Sequence, residues 1–554
     1  MLAAFTLAAT TGAAEYFVSP GGCDKADGTV AKPWRTIQRA ADVAQAGDTV
    51  TIRGGTYREW VKPANAGRAG APIVFQAAKG EKVVVTGADP VTGWTRREDG
   101  LWTVRLRYDT FGGLNPFTDF INGDWFATGG RERFRTRLIQ DGKPLELHTR
   151  DLILGHGGAA NRANGLGLAG LIKKGNAVLV PGMVYGTIIA AFEKDPNVFV
   201  PELIVRPACF YPVAEHRDYI TLRGIAFKDA GPNWAPPTSE QTAIVGTNWS
   251  KGWVIEDCEV SGTECSGITL GKYGDAFDNI GPTAQNYHNT IMRAVSNGLD
   301  RVGHHVVHRC RITDCGQVGI CGSLGAVFST IEDCDISYCH WQKPYGGAEM
   351  GGIKIHAAVD FTVARCRIHH CGSLAGIWFD WMGQGARVVG NRLWANACDL
   401  FFEVDHGPIL VEGNDFLSEV ALRSCSQSAA FVGNRMRGTY RYHNDARCTP
   451  IFKPHAVTLD SLDKVACGQG AYVFINNILG NDPRFEKEAH KSRYEDNWMV
   501  PAENWKVDEA TGAVAITPPA GSKRPDFGPV DSKRLGRPPF IDQAFPEPTV
   551  RSCQ

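Results

Sequence analysis

Eight short segments, VIEDCEV, VVHRCRI, TIEDCDI, TVARCRI, RVVGNRL, LVEGNDF, AFVGNRM and VFINNIL, align on one position, occupied by Cys258, Cys310, Cys334, Cys366, Asn391, Asn414, Asn434 and Asn477. The intervals between successive marks are 52, 24, 32, 25, 23, 20 and 43 residues. A recurring unit of about 20 to 25 residues is the period of a solenoid, in which each coil can bury its apolar face only against its neighbours. On that period the intervals of 52 and 43 read as two coils each, and the 32 as one coil carrying a loop. The runs are short and rich in β-branched residues, so they are strands and not helices.

Ahead of these marks runs a second column: GITLG (267–271), GICGS (319–323), GIKIH (352–356) and GIWFD (376–380), continued by DLFFE (399–403) and EVALR (419–423). Strand alternation sends Ile353 and Ile355, Ile377 and Phe379, Leu400 and Phe402, and Val420 and Leu422 inward, and the third and fifth positions outward. The implied fold class is all-β, a right-handed parallel β-helix with an inserted β-sandwich-like domain. Buried thiols act as small apolar fillers and stacked Asn side chains bond along a ladder. Cys310, Cys315, Cys334, Cys339, Cys366 and Cys371 therefore read as structural. The sixteen cysteines include no CxxC pair and no ligand-spaced Cys/His block, so neither a metal nor another cofactor is expected.

The repeat divides the chain. Residues 1–14 hold an apolar run ending in small residues, like a secretory leader with its cleavage site but without a basic start. The expectation is a secreted or periplasmic protein, or a cytoplasmic one if that segment is not a signal. Residues 15–100 read as an N-terminal cap, with a helix around Trp34–Gln45, and first coils. The pattern lapses over 101–212, where alternating strands and Gly-rich turns suggest the inserted sandwich. Residues 213–497 form the main β-helix and 498–554 a Pro-rich irregular tail. No stretch reaches the roughly 18 apolar residues of a membrane span. With 58 basic and 59 acidic residues nothing draws in nucleic acid or an anionic membrane, and a neutral substrate fits best. Oligomeric state stays open, a homo-oligomer included.

Asp380 precedes its mark Asn391 by eleven residues and Glu403 precedes Asn414 by the same eleven, so the two carboxylates occupy equivalent places on neighbouring coils. Parallel strands lie ~4.8 Å apart. Two outward carboxyl groups there stand about 5 Å apart, the spacing of retaining glycosidases; inverting enzymes need about 6.5 to 9.5 Å. In the same reading His356 and Ser323 lie below the pair and Arg423 above it, with Lys354, Trp378 and Phe401 in the third-position column alongside. A cation and a His beside Asp380 favour its ionised form, and aromatic neighbours favour a protonated Glu403. Asp380 is then the nucleophile and Glu403 the acid/base, with Trp378 and Trp381 offering flat faces to sugar rings. Like charges on a solvated face, paired with Lys354 and Arg423, are the alternative. The large aromatics in GIWFDW and DLFFEVDHGP are costly on an outward face unless something binds there.

The motifs GIWFDWMGQG and DLFFEVDHGP, together with NWAPPTSEQ, GTNWSKGW, GITLGKYGD and GAEMGGIKIHAA, resemble glycoside hydrolase family 120, whose characterised members are β-xylosidases. The resemblance runs from the N-terminal coils to about Ser418 and includes the insert. It implies a retaining exo-enzyme that releases xylose from the non-reducing ends of β-1,4-xylo-oligosaccharides, with Asp380 as nucleophile and Glu403 as acid/base. Glu349, Lys354 and His356 are candidates for binding the sugar next to the scissile bond, the alternative being coil-edge ion pairs. Asp405 and His406 are placed to orient Glu403, or Asp405 to stabilise the turn before His-Gly-Pro, and Glu240 and Asp124-Trp125 to border the cleft.

Two other readings compete. A β-helix polysaccharide lyase, or another glycosidase on a plant cell-wall glycan, shares the fold; a lyase on polyuronate calls for a basic cleft and clustered acids for Ca²⁺, neither of which stands out. Gly155-His156-Gly157 is like a polygalacturonase fragment but falls inside the insert. A non-catalytic carbohydrate-binding solenoid explains the outward aromatics but not two carboxylates in register.

Overall fold

The computed structural model describes residues 12–149, 172–173, 175–342, 345–445, 447–452, 462–466, 469–485, 491–522 and 525. Three long parallel sheets of thirteen, twelve and eight strands wind into a right-handed parallel β-helix. Their inward side chains form one apolar column: Ile268, Ile320, Ile353, Ile377, Leu400 and Leu422 stack strand upon strand.

The eight-stranded sheet comprises β1 (Val245–Gly246), β2 (Ser266–Thr269), β3 (Val318–Ser323), β4 (Gly351–His356), β5 (Ala375–Asp380), β6 (Leu400–Glu403), β7 (Val420–Ser424) and β8 (Thr439–Tyr442). From β3 to β6 its register is the one the repeat predicts, with His356 beside Asp380 and Asp380 beside Glu403. The next strand departs from it. Leu400 pairs with Leu422 and Phe401 with Arg423, so EVALR sits two residues out of the expected alignment, and the ladder from β7 to β8 is irregular between Val420 and Leu422. Val420 accordingly packs outside, with Trp378 and Phe401.

The mark column is the turn into the twelve-stranded sheet. Each residue before a mark (Asp257, Arg309, Asp333, Arg365, Gly390, Gly413, Gly433, Asn476) has φ between 51° and 67°. Only Gly takes that left-handed backbone without penalty, which accounts for the G-N pairs of the later coils. Each Asn then accepts the backbone N–H of the mark one coil earlier, from Cys366 N to Asn391 Oδ1 at 2.8 Å onward to Asn477 N to Asn497 Oδ1 at 3.0 Å.

The two longest intervals are not pairs of coils. The strand at Val254–Glu256 pairs directly with Val306–His308, and Asn434 N donates to Asn477 Oδ1. Each interval is therefore one coil with an insertion. The first insertion contains α2 (Ala284–Ser296), capped by Thr283, whose hydroxyl accepts from Asn286 N. The second is a hairpin of β9 (Cys448–Phe452) and β10 (Leu462–Ala466).

At the N-terminus α1 (Ile37–Val43), capped by Thr36, buries Ile37, Ala40 and Ala41 in the β-helix core. The insert is two small sheets of five and four strands around Trp94, Phe117, Leu138, Leu179, Ile188 and Leu203. It opens earlier than expected, because Ala88–Pro90 already pairs with Glu202–Ile204. Gly155-His156-Gly157 and the start of the leader lie outside the described residues. The expected irregular tail is partly ordered. Trp505–Val507 and Val514–Ile516 pair as a hairpin, and Val500 and Trp505 bury against Trp394, apolar anchors that a Pro-rich composition hid. Among the described residues no helix is long and apolar enough to cross a membrane.

Candidate active site

Parallel register sets Asp380 and Glu403 side by side at the ends of β5 and β6. Both are largely buried, and their surroundings differ. Lys354 Nζ, itself buried, donates to Asp380 Oδ2 at 2.6 Å, and His356 Nε2 lies 3.5 Å from the same oxygen. Burial pushes the Asp380 carboxyl up, but the Lys354 ammonium and His356 outweigh it and hold the group below the usual carboxylate range. The other oxygen, Oδ1, is buried with no hydrogen-bond partner among the described residues. One carboxylate oxygen is thus clamped and the other is available.

Glu403 is perturbed the other way. Burial and the negative charge of Asp380 raise it above the usual glutamate range, against the opposing pull of Lys354 and Arg447. A pair of acids pushed in opposite directions by their surroundings is the pattern of one ionised and one protonated partner.

Glu349 reaches the pair from the loop before β4. Its Oε2 lies 2.9 Å from His356 Nε2 and 3.7 Å from Lys354 Nζ. That loop is braced by the insert, since Gly346–Gly347 pairs with Phe126–Ala127 and Trp234 Nε1 donates to the Asp124 carbonyl. Asp124 Oδ2 accepts from Thr238, and Trp125 packs at the edge of the cluster that holds Trp381. Glu240 accepts from the Tyr211 hydroxyl at 2.9 Å and belongs to a polar network beside α2.

Three expectations change. Arg423 does not stand above Glu403; the shifted register puts its guanidinium 4.3 Å from the centre of the Phe401 ring. Trp378 has no open face, because Lys354 Nζ lies 2.9 Å from its centroid and Phe401 stacks at 5.0 Å. Trp381 is enclosed by Tyr287 and Arg447. The indole N–H groups of both are buried without a hydrogen-bond partner among the described residues, and neither ring offers a free face for stacking.

Asp405 and His406 act from behind. Asp405 Oδ1 accepts from Gly383 N at 2.7 Å and so ties down the turn after Asp380. Burial and the Asp380 charge raise its carboxyl far above the usual range. His406 Nε2 lies 2.7 Å from Thr449 Oγ1 and links the coil that carries Glu403 to the β9–β10 hairpin.

Tyr287 and Arg447 were not foreseen. Tyr287, on α2, packs edge-to-face on His356 and bonds Ser323 through its hydroxyl. Arg447, just before β9, donates to Glu403 Oε1 at 2.5 Å. The cap Thr283 and the apolar spacing behind it could have signalled α2; nothing in the sequence says where the Arg447 hairpin lands. The column cysteines are free and buried as expected, but Cys448 beside Arg447 is disulfide-bonded.

Residues 242–436 match the model of the right-handed β-helix region, and residues 91–152 that of the glycoside hydrolase 120 insertion domain. A solved structure described as XylC in complex with xylose is 34% identical, with a TM-score of 0.76 over 84% of this chain and 75% of that one. The chain belongs to glycoside hydrolase family 120. It is a glycoside hydrolase, and the paired carboxylates stand on the β-helix that the family model covers. Shorter matches, 43% identical over 83 and 79 residues, link it to the uncharacterized protein YwoF of Bacillus subtilis (strain 168) and to pectate lyase PEL9 of Emericella nidulans. These span less than a fifth of either relative, 18% and 19%.

Proposed function

We propose that this family 120 hydrolase is a retaining exo-β-xylosidase acting on xylo-oligosaccharides, with Asp380 as nucleophile and Glu403 as acid/base. The observation that carries the reading is the adjacency of these two acids in one ladder with opposite perturbations. Neighbouring strands leave about 5 Å between them, too little for a water beside the sugar and enough for direct attack. Asp380 Oδ1 attacks the anomeric carbon while Glu403 passes its proton to the departing oxygen, leaving a glycosyl ester on Asp380. Esterification removes the Asp380 charge, and with it one cause of the raised Glu403 pKa. Glu403, now a carboxylate, takes a proton from water as that water attacks the anomeric carbon and frees Asp380. The bound xylose of the XylC structure supports the choice of sugar, and the loops braced by the insert around Glu349 support action at a chain end.

The test follows the first anomer released from xylobiose by NMR, with Asp380→Asn and Glu403→Gln alongside. β-Xylose from the unaltered enzyme, and losses of at least about 10³-fold in both variants, are expected. Initial α-xylose would refute retention. Turnover of arabinosides or galactosides with none of xylosides would refute the sugar.

A further inference from the structure

We infer that Arg447 is a positioning residue for the acid/base: its guanidinium, bonded to Oε1, fixes the Glu403 carboxyl so that the proton sits on Oε2, and it steadies the carboxylate that the second half-reaction needs. This rests on the reading of Glu403 as acid/base and adds a residue outside the β-helix repeat. Arg447 Nη2 donates to Glu403 Oε1 at 2.5 Å. The guanidinium is held in turn by Asp445, which accepts from Nε at 3.0 Å, from Nη2 at 2.7 Å and from the Arg447 backbone N–H at 2.8 Å. The hairpin is docked directly behind Glu403: Thr449 Oγ1 donates to the Val404 carbonyl at 3.2 Å and bonds His406. Trp381, next to the nucleophile, lies under the guanidinium with 5.6 Å between its ring centre and the Arg447 carbon.

An oxygen that accepts a charge-assisted bond from arginine is the poorer seat for a proton, because Arg has donors and no acceptor. The proton is therefore directed to Oε2. A fixed cation also stabilises the carboxylate needed to activate water once Asp380 is esterified. Without Arg447 the carboxyl can rotate, and its pKa rises.

The experiment measures kcat/KM against pH for Arg447→Met, Arg447→Lys and Asp445→Asn. One substrate is xylobiose, whose leaving group needs a proton; the other is 2,4-dinitrophenyl β-xyloside, whose leaving group does not. Arg447→Met is expected to lose at least about 30-fold on xylobiose and under about 3-fold on the dinitrophenyl substrate, since proton donation is worth about 10² to 10⁴. Its basic limb should move up by about 1 unit, a single cation's effect reduced by the partial exposure of the arginine. Arg447→Lys should keep the basic limb and recover part of the xylobiose rate. Asp445→Asn should weaken xylobiose turnover in the same sense, without depending on how Arg447→Met folds. Equal losses on both substrates with an unmoved basic limb would overturn the inference and leave a structural role. Glu403→Gln separates the two failures: if it shows the leaving-group dependence and Arg447→Met does not, only the inference falls. If Glu403→Gln lacks it too, the acid/base assignment falls with it.

Discussion

Replacing Lys354 by Met keeps most of the side-chain volume and deletes the cation that keeps Asp380 ionised. The two charges are 2.6 Å apart and buried. At an effective dielectric of about 20 their attraction is about 6 kcal/mol. His356 at 3.5 Å and the Arg447 charge remain, so about half of that is a fair net effect, in line with the ~3 to 5 kcal/mol for orphaning one partner of a buried pair. About 3 kcal/mol is about 2 pKa units, so the acid limb of kcat/KM should rise by about 2 units in Lys354→Met. A substrate with an acidic leaving group is the right probe, because its first step does not wait on Glu403. The sign of the stability effect follows from the same shift. In the unaltered protein the depressed Asp380 contributes stability above its unfolded pKa, and that is lost as pH falls through the lower folded value. In the variant the folded pKa is higher, so less of that stability remains above it. The difference in Tm between the two proteins should therefore be larger at pH 7 than at pH 4. An unmoved acid limb in a well-folded variant would refute the assignment of Asp380 as the ionised nucleophile held by Lys354.

Two further outcomes test the scaffold. Asn414→Ala removes the acceptor of the Asn391 backbone N–H and the donor to Val388 O in a fully buried ladder, and should lower stability by about 2 to 4 kcal/mol, read as urea midpoints at constant m. Brief native alkylation with peptide mapping should label Cys23 and spare the twelve buried free cysteines among the described residues; rapid labelling of Cys334 or Cys366 would contradict their role as core fillers.

The paired carboxylates were legible because a solenoid converts spacing into place. Eleven residues from acid to mark, on two adjacent coils, left one geometry for Asp380 and Glu403, and the ladder has it. Lys354 and His356 were legible for the same reason, one coil below. Arg423 was misplaced because β7 pairs with β6 two residues out of the register that the marks predict, and a shift of two keeps each side chain on its face, so alternation carries no sign of it. Trp378 was misjudged because the third-position column stacks on itself: Lys354, Trp378, Phe401 and Arg423 cover one another, which alternation within a single strand does not reveal.

What the repeat could not show lies where the repeat is broken. The interval of 52 residues carries α2 and Tyr287, the 32 carries the loop with Glu349, and the 43 carries the hairpin with Arg447. A bare β-helix presents only outward columns, each side chain fixed by its coil, and such a surface is open to water. An insertion can fold back over that surface at little entropic cost, because lengthening a loop costs only about 0.6 kcal/mol per doubling. It brings groups that the period cannot place: a ring over His356, a carboxylate against Lys354, a guanidinium on Glu403. Coils supply the two paired acids and insertions supply the groups that polarise and enclose them. In a solenoid enzyme the irregular intervals are accordingly where residues that tune the chemistry should be sought.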